Sequence, residues 1–167
     1  MKRLPSLFVS HGAPTWALEP GVAGAHLARL GRSIEAPRAV LVMSPHWITR
    51  GLALTGAATP KTIHDFGGFP DELYRLRYPA PGHPQLARAA GQLLEAAGHR
   101  VALDDQRGLD HGAWVPLMHL FPKADVPVFQ LSMPVGLDAP SAWQLGEALA
   151  PLAADGVLIV GSGSLTH

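Results

Sequence analysis

Two short apolar runs in this chain end the same way. Leu7-Phe8-Val9 gives way to Ser10-His11-Gly12-Ala13-Pro14, and Val40-Leu41-Val42-Met43 gives way to Ser44-Pro45-His46-Trp47. Runs of this length and composition read as buried β-strands rather than helices. A glycine permits a sharp turn and a proline does not continue a strand, so each run is expected to deliver an imidazole at its exit. The second run is apolar at successive positions, the pattern of a strand covered on both faces of a sheet.

The remaining segments alternate strand and helix. Residues 5–9 and 38–44 are expected as strands, with a helix over Val22–Glu35 between them. Residues 51–56 read as a short strand antiparallel to strand two. A brief helical turn is expected at Asp71–Leu76. Residues 84–98 carry Leu86, Ala90, Leu93, Leu94 and Ala97 on one helical face, with Pro84 in the first turn and Gly98 at the C-terminal cap. Further strands are expected at 100–104, 126–132 and 156–160, and further helices up to Leu120 and over 140–153. This order implies an α/β layered fold with a central, largely parallel or mixed sheet flanked by helices. No internal repeat and no domain boundary interrupts it, so residues 1–167 read as a single domain.

Composition narrows the function classes. The chain has 13 basic and 13 acidic residues and no basic run, so the electrostatic footprint of a nucleic-acid binder is missing. No apolar stretch reaches membrane-spanning length. The chain has no cysteine, which leaves imidazole and carboxylate as side-chain metal ligands and fits a reducing cytoplasm. The glycine-rich end, Gly161-Ser162-Gly163-Ser164-Leu165-Thr166-His167, lacks the third glycine of a dinucleotide loop and the lysine of a P-loop. No nucleophile elbow is present for serine hydrolysis.

There are nine histidines. Four of them, His11, His46, His111 and His167, fall at or just after the end of an expected strand. In an open α/β sheet, ligands bind at the strands' C-terminal edge, so these four are candidates for a shared metal or catalytic site. His26, His83 and His99 are expected on the surface, and His119 as a packed or partly exposed side chain. The loop 57–82 holds His64, Phe66, Phe69, Tyr74 and Tyr78. A loop of this length is usually functional, and its aromatics either wall a pocket or anchor the loop to the core. Trp47 and Trp114 follow candidate histidines closely and either dry the site or pack in the core.

Six segments together resemble the class III extradiol ring-cleavage dioxygenases, in the branch of the 4,5-DOPA extradiol dioxygenases. They are Ser10–Pro14, Ser44–Trp47, His64–Pro70, Tyr78–Gly82, Gly108–Leu117 and Gly161–His167. The resemblance implies a metal-dependent enzyme that opens a catechol-type aromatic diol with O2 at one Zn2+ or Fe2+ per chain. It implies His11, His46 and His167 as metal ligands and His167 and His111 as catalytic groups. It implies a pocket-loop position for His64, and with the aromatic reading above the expected substrate contacts are His64, Trp47 and Phe66. With the composition above, the expectation is a cytoplasmic enzyme without nucleic-acid or membrane partners, with a homo-oligomer left open. Members of that family continue past the position matching His167, so the expectation is a catalytic domain lacking its C-terminal part. A zinc-dependent hydrolase or isomerase on the same scaffold and a non-catalytic relative stand as alternatives.

Overall fold

The computed structural model describes residues 3–164. Its six strands are β1 (Ser6–Ser10), β2 (Ala39–Thr49), β3 (Leu52–Thr55), β4 (Val101–Asp104), β5 (Val128–Pro134) and β6 (Val157–Gly163). They form one sheet in the order β1-β6-β2-β5-β3-β4. The first four strands in that order run parallel; β3 runs antiparallel to β5, and β4 parallel to β3. The helices are α1 (Gly21–Ser33), α2 (Asp71–Arg75), α3 (Pro84–Ala96), α4 (His111–Leu120) and α5 (Ala139–Ala154).

The layering follows from alternation along the central strands. On β2, Val40 and Val42 face one way, joining Leu158, Val160, Trp114, Leu117 and Leu27 beneath α1 and α4. Ala39 and Leu41 face the other way, joining Phe129, Leu131, Leu86, Leu94, Leu145 and Leu152 beneath α3 and α5. Both faces of β2 are therefore covered, as its continuous apolar run requires. No helix among the described residues is long and apolar enough to cross a membrane.

Three expectations change. The run Leu7-Phe8-Val9 is not a buried strand. β1 lies at the edge of the sheet, so only Leu7 and Val9 pack on the core while Phe8 is 57% exposed on the opposite face. Strand two does not stop at Ser44. β2 runs on through Pro45 and His46 to Thr49, and its pairing with β5 shifts register between Met43 and Ile48. Proline is tolerated in such an irregular stretch because no ladder donor is needed there. Finally, β3 pairs with β5 and not with β2. The first five residues of β5 are all buried, so this strand needs neighbours on both edges and takes the place beside β2.

Two helical glycines differ in what surrounds them. A Cβ on Gly31 of α1 would lie 1.9 Å from the carbonyl oxygen of Leu120, so the helix ends pack backbone to backbone. Gly146 of α5 has nothing within 4 Å of that position. Gly31→Ala is expected to lower stability by about 1–3 kcal/mol through forced separation of the helices. Gly146→Ala is expected to raise it by about 0.5–1 kcal/mol through lost backbone freedom in the unfolded chain. Urea denaturation of the two variants checks both signs.

Candidate metal centre

His11 leaves the end of β1, where its amide still reaches Gly163 O at 3.1 Å. The next residue, Gly12, adopts φ +61°, a turn that favours glycine. His46 projects from the irregular part of β2, its amide donating to Ser44 Oγ at 3.2 Å. His111 opens α4, directly after the N-cap Asp110, whose side chain accepts from the Ala113 amide. One ligand-capable atom from each of His11, His46 and His111 lies within 4.8 Å of the others.

Proton bookkeeping fixes the ring orientations. Pro116 sits inside α4 and has no N–H for the carbonyl four residues back, that of Gly112. The Ser162 hydroxyl of β6 donates to that free carbonyl. Having spent its one proton, Ser162 Oγ accepts from His11 Nδ1 at 2.9 Å. His11 therefore carries its proton on Nδ1 and a lone pair on Nε2. That Nε2 lies 2.9 Å from His46 Nε2, so the proton between them belongs to His46. On the other side, Asp65 accepts from the His111 amide at 2.9 Å through Oδ1 and from His111 Nδ1 at 3.0 Å through Oδ2. His111 Nε2 is thereby left with its lone pair.

These groups fit a divalent cation. Metal–imidazole bonds are about 2.0–2.1 Å long, and two such ligands at right angles stand about 2.9 Å apart. The His11–His46 separation matches that value. Moving the His46 proton to Nδ1 frees Nε2 and turns the N–H toward Asp65 Oδ2, 3.9 Å away. Imidazole ligands whose second nitrogen is held by a carboxylate or hydroxyl are the usual arrangement at such centres. The donor set of neutral nitrogens suits zinc or iron.

Electrostatics favour the neutral forms of His11 and His46. Burial, followed by the neighbouring His46 and His111, lowers the His11 pKa from its ordinary 6.5 to about 4. Burial and His111 lower that of His46. Burial alone would raise the Asp65 pKa, but hydrogen bonds from the His111 side chain and amide outweigh it and hold the carboxylate ionised.

The other expected site residues divide. Phe66 meets His111 edge-on at 5.7 Å between ring centroids, and Trp114, Tyr74 and Phe69 pack around it. His64 stands apart from the imidazole cluster. Its Nε2 donates to Leu76 O at 3.1 Å, and its ring joins the aromatic wall through Phe66 and Trp114. Trp47 is buried beneath the Arg107 guanidinium, 5.3 Å from the ring, and that is its ring contact among the described residues. Tyr78 anchors the loop instead of walling the site, with its hydroxyl on Phe121 O at 3.0 Å. His167 lies outside the described residues. Asp65, Ser162 and Pro116 had no place in the expected site. The His64-Asp65 and Asp110-His111 pairs were a usable signal, since a carboxylate beside a candidate ligand histidine is a natural partner for an imidazole.

Residues 8–167 match the family model described as the catalytic LigB subunit of aromatic ring-opening dioxygenase. The chain is 44% identical to the 4,5-DOPA dioxygenase extradiol of Escherichia coli (strain K12), over 99% of this chain and 60% of that protein. It is 45% identical to the 4,5-DOPA dioxygenase extradiol of Beta vulgaris, over 97% of this chain and 62% of that protein. The fold is similar to the crystal structure of an uncharacterized protein from Escherichia coli K12. The TM-score is 0.79 at 34% identity, covering 99% of this chain and 62% of the other. The chain thus spans about three-fifths of the length of the curated relatives it matches.

A buried neutral histidine links stability to pH. The unfolded chain binds a proton on His11 near pH 6.5, whereas the folded protein resists it down to about 4. Folding stability from this group is therefore complete above about pH 6.5 and is lost as pH falls toward 4. His46 and His119, lowered for the same first reason, burial, add to the trend. Thermal denaturation of chelator-treated protein is expected to show a falling Tm from pH 7.5 to 5. The slope should be shallower in His11→Asn.

Proposed function

Since the chain belongs to the family of the catalytic LigB subunit of aromatic ring-opening dioxygenases, we propose that it opens a catechol-type ring with O2, beside the two hydroxyls, at one non-haem Fe2+ or Zn2+ held by its histidines. The observation that carries this reading is the convergence of His11, His46 and His111 from β1, β2 and α4 on one point. In this reading His11 and His46 hold the cation through Nε2. His167 joins them as a ligand or as the acid/base, on the strength of its place in the Gly161–His167 segment.

A divalent ion held by these histidines would supply a Lewis acid that eases loss of a catechol proton and, as iron, a relay for electrons passing from the diol to O2. The chain's own groups do the rest. With its Nδ1–H on Asp65, His111 presents a basic Nε2 that can accept a hydroxyl proton and later donate it. Asp65 steadies the imidazolium formed in between. Phe66 lies edge-on to His111, so an aromatic substrate can pack against its ring while Trp114 behind it excludes water. His64 borders this wall through Phe66 and Trp114, and Trp47 follows His46 in β2; in this reading both shape the substrate's surroundings.

The test is anaerobic loading with Fe(II), metal analysis, then addition of DOPA or catechol with oxygen. One metal per chain, oxygen uptake and a yellow ring-opened product are expected. Substituting His11→Ala is expected to weaken metal binding by more than about 100-fold, because loss of a ligand exceeds the 10–100-fold cost of losing an outer partner. Asp65→Asn, which removes such a partner, falls in that 10–100-fold range. Stoichiometric metal with no oxygen uptake across several catechols would falsify the ring-opening assignment.

A further inference from the structure

Asp110 is the one acidic residue among the described residues that is buried, at 0% exposure. Its Oδ1 caps α4 through the Ala113 amide at 3.2 Å. Its Oδ2 accepts from Gln130 Nε2 at 2.8 Å and stands 3.5 Å from Arg107 Nη2. Gln130, also fully buried, accepts the Asp110 amide through Oε1 at 3.2 Å and fixes the carboxylate from β5. An asparagine would cap the helix as well as an aspartate without placing a charge in the interior, where charge is costly. The second oxygen of Asp110 is taken by Gln130 Nε2, and the cap alone therefore does not require the carboxylate.

Nor does its cation. Arg107 is shared: Nη2 also donates to His46 O at 3.2 Å, the guanidinium lies over Trp47, and Nε is buried without an acceptor among the described residues. The pair is a loose one, and the negative charge of Asp110 is left to act on its surroundings. Those surroundings are the imidazole cluster. A Cβ on Gly112 would stand 3.2 Å from Asp110 Oδ1 and 2.9 Å from His46 Cδ2, so carboxylate and ring lie on either side of one small gap. Asp110 also directly precedes His111.

The neutral imidazoles of His11 and His46 offer lone pairs but no charge to a dication. We propose that Asp110 is a positioning residue for the cation: a fixed negative charge behind the histidines that raises their affinity for a divalent ion without touching it, with Arg107 as its opposing counterweight. This rests on the reading of the cluster as a metal site. Asp65 balances one positive charge from the loop side, and Asp110 balances the second from the N-cap of α4.

The probe is Zn(II), measured by competition with a chromophoric chelator on the wild-type chain, Asp110→Asn and Arg107→Gln. Asp110→Asn keeps the cap and the side-chain size but turns an N–H toward Gln130 Nε2, so the metal-free protein should keep its helix content at a somewhat lower Tm, while affinity falls about 10- to 100-fold. Arg107→Gln keeps a donor for His46 O and removes the opposing charge, so affinity should rise about threefold or more. Opposite signs separate a charge effect from general loosening, which lowers both. Affinity within about twofold of wild type in a folded Asp110→Asn overturns the proposal, as does equal or lower affinity in Arg107→Gln. If Asp110→Asn does not fold, the sign in Arg107→Gln decides alone. If the wild-type chain itself takes up no zinc, the metal-site reading fails and this inference falls with it.

Discussion

The site hangs on one hydroxyl. Ser162 Oγ stands between the Gly112 carbonyl and His11 Nδ1 and can give only one proton. The direction of that proton is set in α4, where Pro116 leaves the Gly112 carbonyl without its helical donor. Because the serine donates to the carbonyl, His11 must donate to the serine, and its Nε2 must face His46 with a lone pair. A proline in a helix thus determines which atom of a histidine in another element is free to bind a cation. The same bond ties β6, α4 and the end of β1 into one unit.

Around that bond, partners of the imidazoles come from separate layers. The loop before α2 brings Asp65 to His111, and it is held there by backbone bonds of Ile63 and Leu109 and by Trp114 Nε1 on Ile63 O. From β5 comes Gln130, which holds Asp110 beneath the start of α4. Gly112 allows the helix to approach within side-chain reach of Ser44 and His46. His11 and His111 are each oriented by a group that is itself held by further bonds, Ser162 and Asp65.

Much of the scaffold was legible in the residues. Val40–Met43 announced a strand covered on both faces, and the 84–98 pattern announced α3 within two residues of its end. Leu7-Phe8-Val9 announced a strand but not its place, because local hydrophobicity does not say whether a neighbour lies on one edge or two. The same limit hid the pairing of β3 with β5. The aromatics of the 57–82 loop, which admitted two roles, in fact divide: Phe66 turns to His111 and Tyr78 turns into the core.

By itself, the sequence determined the alternation of strands and helices, the delivery of His11 at a strand exit, and the lack of a thiolate ligand. These depend on local patterns of burial and turning, which neighbouring residues encode. Only the tertiary structure decided that His111 joins His11 and His46 while His64 does not, and that Asp65, Ser162 and Asp110 stand behind them. Those relations join residues as far apart as His11 and Ser162, 151 positions along the chain. Their physical cause is the order of strands in the sheet and the approach of α4 to it, which no short stretch of residues contains.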